Sequence, residues 1–578
     1  MGEAHTVHTQ SPSEPRTGQR IANLAPAGLR LTTTSRLVRA LPLPALIVVE
    51  LVVLIVSIVL ITLTPLPWWS GVIIGAMAAL PLLVRRSGTS LGHHLWQRTV
   101  FALGRNRDTD MLESPFDVPM SDVNTCGMRW DGDRIITTLR IDPSPISLTR
   151  FTAGATITDD VLPVEVIASC LQQFDLTVES LDIISHGSRA HGDGPIARIY
   201  EGILGPLPAA AFRTVWIVLR INPLASTDAI ARRGGGATGA LKTAMIATRR
   251  VANHLTSQGH PATILSAAEI TSATWQLTGG QDPDSLTEEW AHATAGPLRM
   301  TSVALSAEAL NTQGLMSVWA RPAISTTLAL HLRGTTDDEI GVSAIARFTT
   351  VGEEALNPLP GSRPFLGNER AAVLATVPAA DPFPERSAFE YFATPDFLTT
   401  LTIPASGCGQ LVGADPQSRA VALPLAGASV RHLDIAGSLH LAQQVILRAI
   451  ALGARVLVNT DRPTYWAPMA TAVGSPYLLT IAGASAGSQI AGQRQEFSVN
   501  VFDGVPMAPS VPGTAMTISA PARPPVPTAD ISLLQDSDVG PIVTILLDDI
   551  STEVMMVATN DEMRYIGASL NAPDRVYR

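Results

Sequence analysis

One uninterrupted apolar run, Leu43 to Leu63, constrains this chain more than any other stretch of its 578 residues. Sixteen of the residues in that run are Leu, Ile or Val. At ~1.5 Å of rise per residue, a helix of that length reaches about 30 Å, the thickness of a bilayer's hydrocarbon core. Its aliphatic side chains together favour insertion by about 5–10 kcal/mol, and an off-centre Glu50 opposes this by ~3 kcal/mol at most. Insertion wins. A secretory signal peptide is the competing reading. Against it, the usual apolar core of such a peptide is only about 7–15 residues, and here a long, mostly polar segment comes first.

A second, weaker run follows, Trp68 to Val84, which carries Pro81. The turn between, Thr64-Pro65-Leu66-Pro67, is short and uncharged, so residues 43–84 read as a transmembrane helical hairpin. Trp68 and Trp69 sit where an interfacial aromatic belt belongs. Gly71, Gly75 and Ala79 recur at four-residue spacing and make a face that another helix can approach closely, including one from a partner subunit. Arg16, Arg20, Arg30, Arg36 and Arg39 precede the hairpin, Arg85, Arg86, Arg98, Arg105 and Arg107 follow it, and the turn has none. The positive-inside rule then puts both termini in the cytosol at the inner cell membrane. Glu50 is a candidate for pairing with a neighbouring subunit's helix, because one carboxylate in one hairpin makes no proton pathway.

The bulk composition agrees with a chain partly in lipid: charged residues are 16% and the mean hydropathy is +0.23. A net charge of -10 argues against a nucleic-acid surface, which needs a basic field. Of the forty basic side chains only Lys242 is lysine, the mark of a coding bias. Cys126, Cys170 and Cys408 are too scattered for a disulfide framework or a zinc site.

Residues 1–42 are polar and aperiodic and read as disordered, and 85–117 as a juxtamembrane linker with a short helix near His93–Leu103. From 118 onward strands and helices alternate. Arg134–Asp142, Ser180–Ser185 and Val215–Ile221 read as strands, and Val164–Phe174 as a helix. A further helix carries Leu241, Met245, Ala252 and Leu255 on one face, with Thr248 as the gap in that stripe. Gly259 and Pro261 end it before the strand Ala262–Ser266. The order repeats as the helix His440–Leu452, Gly453 and the strand Arg455–Asn459. We therefore expect an α/β cytosolic body of two α/β units, 118–335 and 336–503, then a Pro-rich linker, 504–528, and a small C-terminal β-meander, 529–578.

Several motifs suggest chemistry and fall short of it. Gly234-Gly235-Gly236-Ala237-Thr238-Gly239 with Lys242 resembles a phosphate loop, but Ala240 and Leu241 stand between Gly239, the last glycine, and the lysine. Gly483-Ala484-Ser485-Ala486-Gly487 has the spacing of a nucleophile elbow, but no histidine follows His440 to serve it. His93 and His94 diverge by about 100° on a helix and do not share a metal. Asp548-Asp549 reads as a solvated turn. The strand end Ser185-His186-Gly187-Ser188-Arg189 is the most polar in the chain, so His186 and Arg189 are the one ligand-site candidate. No catalytic, cofactor-binding or metal residue is expected.

Three stretches carry a family resemblance: Phe174–Arg189 (FDLTVESLDIISHGSR) with Ala197–Gly205 and Val215–Pro223, then Ala247–Leu265 (ATRRVANHLTSQGHPATIL), and more weakly Leu447–Trp466. With the N-terminal hairpin they make the chain resemble EccE, a core membrane subunit of the type VII (ESX) secretion system of mycobacteria and related actinobacteria. The resemblance implies a structural, non-catalytic component with EccB, EccC and EccD as partners, EccC being the ATPase. Beyond those subunits and membrane lipid, no cofactor, nucleic acid or small-molecule substrate is expected. The alternative is a membrane-anchored, cytosolic-facing enzyme such as a glycosyltransferase-like protein, though no clear DxD pair follows a strand. A receptor-like sensor fails because the external turn is too short to sense anything.

Overall fold

The computed structural model describes residues 28–31, 43–63, 67–83, 85–86, 89–104 and 112–573, the last with short gaps at 122–123, 145, 153–154, 335–338, 353–358, 380–390, 483–496, 509–510, 522, 536–539 and 549. Leu43–Leu63 forms one helix, α1, and Trp68–Ala79 a second, α2, which runs into a 3-10 turn at Leu80–Leu83. α1 is long and apolar enough to cross a membrane; α2 is shorter. Leu51, Leu54, Ile55 and Ile58 of α1 are exposed, so its apolar surface is not spent on the body. The two helices touch where side chains are missing: a Cβ on Gly75 would lie 2.9 Å from Val53 O, and one on Gly71 3.3 Å from Ser57 O. A third helix, α3 (Leu91–Gly104), meets the body through Trp290, with Arg98 4.9 Å above its ring and Phe101 against its edge at 5.6 Å.

Fourteen described strands build the first sheet. Its main members are β1 (Phe116–Pro119), β2 (Thr125–Asp131), β3 (Arg134–Ile141), β4 (Ser180–Ser188), β5 (Phe212–Ile221), β6 (Ala262–Ile264), β7 (Leu298–Leu305), β8 (Ser325–Gly334) and β9 (Ile340–Val351). The order is β7-β9-β8-β4-β5-β3-β2-β1, with β6 also on β3. Every pairing is antiparallel, for example Ile183 opposite Ile217 and Leu330. The expected α/β unit is here built on an antiparallel sheet: strand–helix alternation does not encode strand direction, and β6 runs back along β3. Helices cover both faces. α4 (Pro195–Leu204) leaves this unit, but α5 (Gly236–Ser257) packs Ala244, Ala247, Val251 and Leu255 on one face and α6 (Ala267–Leu277) packs Ile270, Ala273 and Leu277 on the other. Thr248, the gap in the α5 stripe, is fully buried. Its hydroxyl donates to Ala244 O at 2.8 Å and accepts from Thr137 of β3 at 2.7 Å, so a polar residue is satisfied in an apolar seam. Val164–Phe174 is helical only to Leu171 and then turns into a short hairpin.

The second sheet has twelve described strands with a parallel centre. That centre is β10 (His432–Ala436), β11 (Val456–Thr460), β12 (Leu479–Ala482), β13 (Val499–Asp503), β14 (Thr514–Ser519) and β15 (Ile531–Gln535), in the order β12-β11-β13-β14-β10-β15. β16 (Ile542–Leu547) and β17 (Ile550–Met555) extend it antiparallel, followed by Gln410–Ala414, Ala420–Leu423 and Thr149–Thr152. α7 (Leu439–Ala451) is buried along nearly its whole length, and α8 (Asn560–Ile566) packs beside it.

The pairings depart from the expected domain boundaries. β9 lies beyond 335 yet sits inside the first sheet, and Thr149–Thr152 lies before 335 yet pairs with Ala420–Leu423 of the second. The expected linker 504–528 contains β14, a central strand; its prolines flank the strand, at Pro506, Pro512 and Pro521, where no ladder N–H is needed. The C-terminal strands do meander, but as a continuation of the parallel sheet through β15. Within 1–42, Leu29–Leu31 is ordered as a strand on Tyr391–Ala393.

The two halves interlock. α4 buries Ile196, Ala197, Tyr200 and Leu204 in the core of the second sheet, and Tyr200 Oη accepts from Leu411 N at 2.8 Å. His191 N donates to Ala451 O at 2.9 Å, and its ring lies where a Cβ on Gly453 would come within 2.7 Å.

Candidate functional site

β4 ends at the polar stretch singled out in the sequence, and its side chains diverge. Arg189 is buried and almost all of its donors are spent inside the chain. Nε bonds Glu201 Oε2 at 2.8 Å, Nη1 bonds Leu207 O at 2.6 Å and Trp319 O at 3.0 Å, and Nη2 bonds Gly205 O at 2.8 Å. It ties the end of β4 to the C-terminal end of α4 and to Trp319, and leaves little with which to hold a ligand.

His186 is buried on the sheet face that carries Ile184. Its Nδ1 lies 2.8 Å from Thr327 Oγ1, which also accepts from Arg347 Nη2 at 2.9 Å. The Thr327 hydroxyl is therefore free to donate to Nδ1, which places the ring proton on Nε2. Burial and then the neighbouring Arg347 charge push the imidazole down to about 3, so it stays neutral. Arg347 has no exposed surface and is held by Leu277 O and Thr327; burial lowers its guanidinium to about 9.

Further along the same face Asp182 pairs with Arg220, and with His331 Nδ1 at 3.0 Å. Burial pushes this carboxyl up, but Arg220 and His331 outweigh it and hold it well below the ordinary range. His186 and Arg189 thus belong to separate packing networks, and the strand end does not bring the two side chains together.

The second sheet has comparable networks that the sequence reading missed. Asp503, at the end of β13, is fully buried; it accepts from Trp466 Nε1 at 2.8 Å, Thr460 Oγ1 at 2.9 Å and Arg462 Nε at 2.9 Å. Burial raises its carboxyl, and the hydrogen bonds from Arg462 and Trp466 bring it below the usual value. Arg448 of α7 and Glu562 of α8 form a buried pair at 2.7 Å, with Arg448 also donating to Leu411 O and Val412 O. A signal for Asp503 existed, since charged residues at the carboxyl ends of parallel strands are where such sites lie. For Arg448, whose partner is over a hundred residues away, there was none.

Among the remaining candidates, Glu50 is exposed on α1. Gly71, Gly75 and Ala79 are buried, with Gly71 and Gly75 against α1 of the same chain, so that helix occupies the small-residue face. Lys242 is exposed inside α5, away from Gly234–Gly236. Gly483–Gly487 lies outside the described residues. Cys126, Cys170 and Cys408 are free thiols, each raised by burial, to about 12, 11 and 12. No three His, Cys, Asp or Glu side chains among the described residues are placed to share a metal ion.

Residues 209–305 match the family model of EccE, the type VII ESX secretion system translocon family. They build β5, α5, β6, α6 and β7, which are framework elements of the first sheet. Among similar proteins, the ESX-1 secretion system protein EccE1 of Mycolicibacterium smegmatis is 30% identical over 33% of this chain and 42% of its own length. The ESX-2 protein EccE2 of Mycobacterium tuberculosis is 25% identical over 57% of this chain and 60% of its own, and the ESX-5 protein EccE5 of Mycobacterium marinum 26% over 54% and 79%. The chain thus spans less than half the length of the ESX-1 relative it matches. A membrane-length helix, a mixed α/β body and these matches make the chain similar to components of type VII (ESX) secretion systems. Within that class, the chain is similar to members of the EccE family.

Proposed function

We propose that this chain is a structural, non-catalytic subunit of the secretion complex. The α1–α2 hairpin holds it in the cytoplasmic membrane, and its termini and body lie on the cytosolic side. The arginine count supports that orientation, since basic residues flank both helices and the turn between carries none. The observation that carries the non-catalytic reading is where the buried charges go. Arg189, Asp182, Arg220, Arg448, Glu562 and Asp503 all bond to other parts of the same chain, which is what a rigid docking body requires.

The family resemblance makes EccB, EccC and EccD the partners. Their cytosolic domains would meet the body and their helices the outer faces of α1 and α2, with Glu50 placed to pair across such a contact. The test is purification of tagged full-length chain from native membranes in mild detergent. EccB, EccC and EccD are expected to co-purify in fixed ratio, and Glu50→Leu to lower their recovery while the chain stays in the membrane fraction. Recovery of the chain alone would overturn the proposal.

A further inference from the structure

α3 divides lengthwise into two unlike faces. At ~100° per residue, Leu91, Leu95, Trp96, Val100, Ala102 and Leu103 fall on one half of the helix, and His93, His94, Gln97 and Arg98 on the other. The side with Arg98 and Phe101 meets the body. Both lie on Trp290, and a Cβ on Gly367 would come within 2.9 Å of that ring and 3.5 Å of Phe101 Cβ. Trp290 sits in the turn of the hairpin Thr287–Ala295, at the edge of the first sheet. Most of the apolar half is open: Leu91, Leu95, Val100 and Leu103 are exposed, Leu103 by 77%. Thr99 is the one polar side chain in that half. Its hydroxyl donates to Leu95 O at 2.9 Å, so it brings no unpaired donor to the surface.

The setting of this stripe points to a bilayer surface as its cover. α3 runs beside α1 and beside Leu80–Leu83, the turn that ends the hairpin on the side where the chain continues into the body. Its 14 residues reach ~21 Å, too short for a core of about 30 Å, and a crossing would strand its polar half in lipid. Charge gives the sign of the surface. The sequence has no Asp or Glu between Glu50 and Asp108, whereas Arg85 and Arg86 precede α3 and Arg105 and Arg107 follow it. Aliphatic side chains bracketed by arginine suit an interfacial helix on anionic lipid.

We propose that α3 lies in the cytosolic headgroup layer of an anionic bilayer. Leu91, Leu95, Val100 and Leu103 enter the acyl boundary, and Arg85, Arg86, Arg105 and Arg107 meet lipid phosphates. The helix is then a bracket, held by lipid on one side and by Trp290 on the other, and it fixes the edge of the first sheet at the membrane surface. The inference rests on the reading of α1–α2 as a membrane hairpin and adds a second, surface-bound attachment to it.

The test is fluorescence quenching of the full-length chain in nanodiscs of phosphatidylcholine and phosphatidylglycerol. Leu95→Cys, Leu103→Cys, Gln97→Cys and, on the exposed side of α1, Leu54→Cys each carry an environment-sensitive fluorophore, with the labelled parent as background. Lipid spin-labelled near the headgroup is expected to quench Leu95→Cys and Leu103→Cys about threefold more than Gln97→Cys. Lipid labelled deep in the acyl chain is expected to quench Leu54→Cys. At Leu103→Cys, spin-labelled phosphatidylglycerol is expected to quench about twofold more than spin-labelled phosphatidylcholine at equal mole fraction, and Arg105→Gln with Arg107→Gln to remove that difference. Quenching at Leu95→Cys and Leu103→Cys no stronger than at Gln97→Cys, or equal for the two lipids, would overturn the proposal. So would protection of these positions only after partner subunits are added, which would give the stripe to a protein. Loss of quenching at Leu54→Cys as well would sink the hairpin reading, whereas quenching at Leu54→Cys alone strikes only this inference.

Discussion

Arg189 and Glu369 show how much of a charged residue's behaviour depends on partners that the sequence does not place beside it. Arg189 stands at a polar strand end, which is legible, but its acceptors come from Gly205, Leu207 and Trp319, brought close only by the fold. His186 was ambiguous for the same reason, since Thr327 and Arg347 reach it from β8 and β9. Glu369 gave no signal at all. It is fully buried, accepts from Ser302 N at 3.0 Å, and burial pushes its carboxyl up to about 8. The unfolded chain gives up this proton near its ordinary value, whereas the folded chain keeps it until about pH 8. The stability tied to the group is therefore complete in acid and is lost as pH rises through that interval. Glu369→Gln, which cannot ionise, is expected to be more stable than the parent by ~2 kcal/mol at pH 8 and little different at pH 5. Denaturant unfolding of the detergent-solubilised chain, followed by tryptophan fluorescence at both pH values, checks this. An equal effect at both would rule out a protonated carboxyl.

Elements were read best where their pattern is local. α1 declares itself by length and composition, and α5 and β4–β5 by periodicity, because those signals need no distant partner. β14 was missed because a six-residue strand between prolines looks like a linker until its neighbours β13 and β10 are known. Strand direction in the first sheet was missed because periodicity is blind to it. The α1–α2 contact depends on glycine in a way that can be measured. Gly75 leaves no room for a side chain beside Val53, so Gly75→Leu forces the helices apart. A Ser57→Cys/Gly71→Cys pair is expected to cross-link efficiently in the parent, and the yield to fall severalfold when Gly75→Leu is added. An unchanged yield would mean that the helices do not meet along this face.

At the scale of the whole molecule, the body does not divide at the boundaries that composition suggested. Removing 504–578 takes β14 and β15 from either side of β10 and separates β13 from the rest of the sheet. Such a truncation is expected to abolish the fold of the second sheet and give aggregated, protease-sensitive protein. Limited proteolysis and gel filtration in detergent would show this, and a monodisperse, protease-resistant product would contradict the topology. The same threading bears on biosynthesis. The strand at Thr149–Thr152 pairs early with Ala155–Ile157, but it cannot join its sheet until Ala420–Leu423 has been translated, and that sheet is completed only by β15–β17. A ribosome therefore cannot release this body one finished module at a time. Its early strands must wait outside their sheet while the rest is made, which makes chaperone access during synthesis a condition of yield.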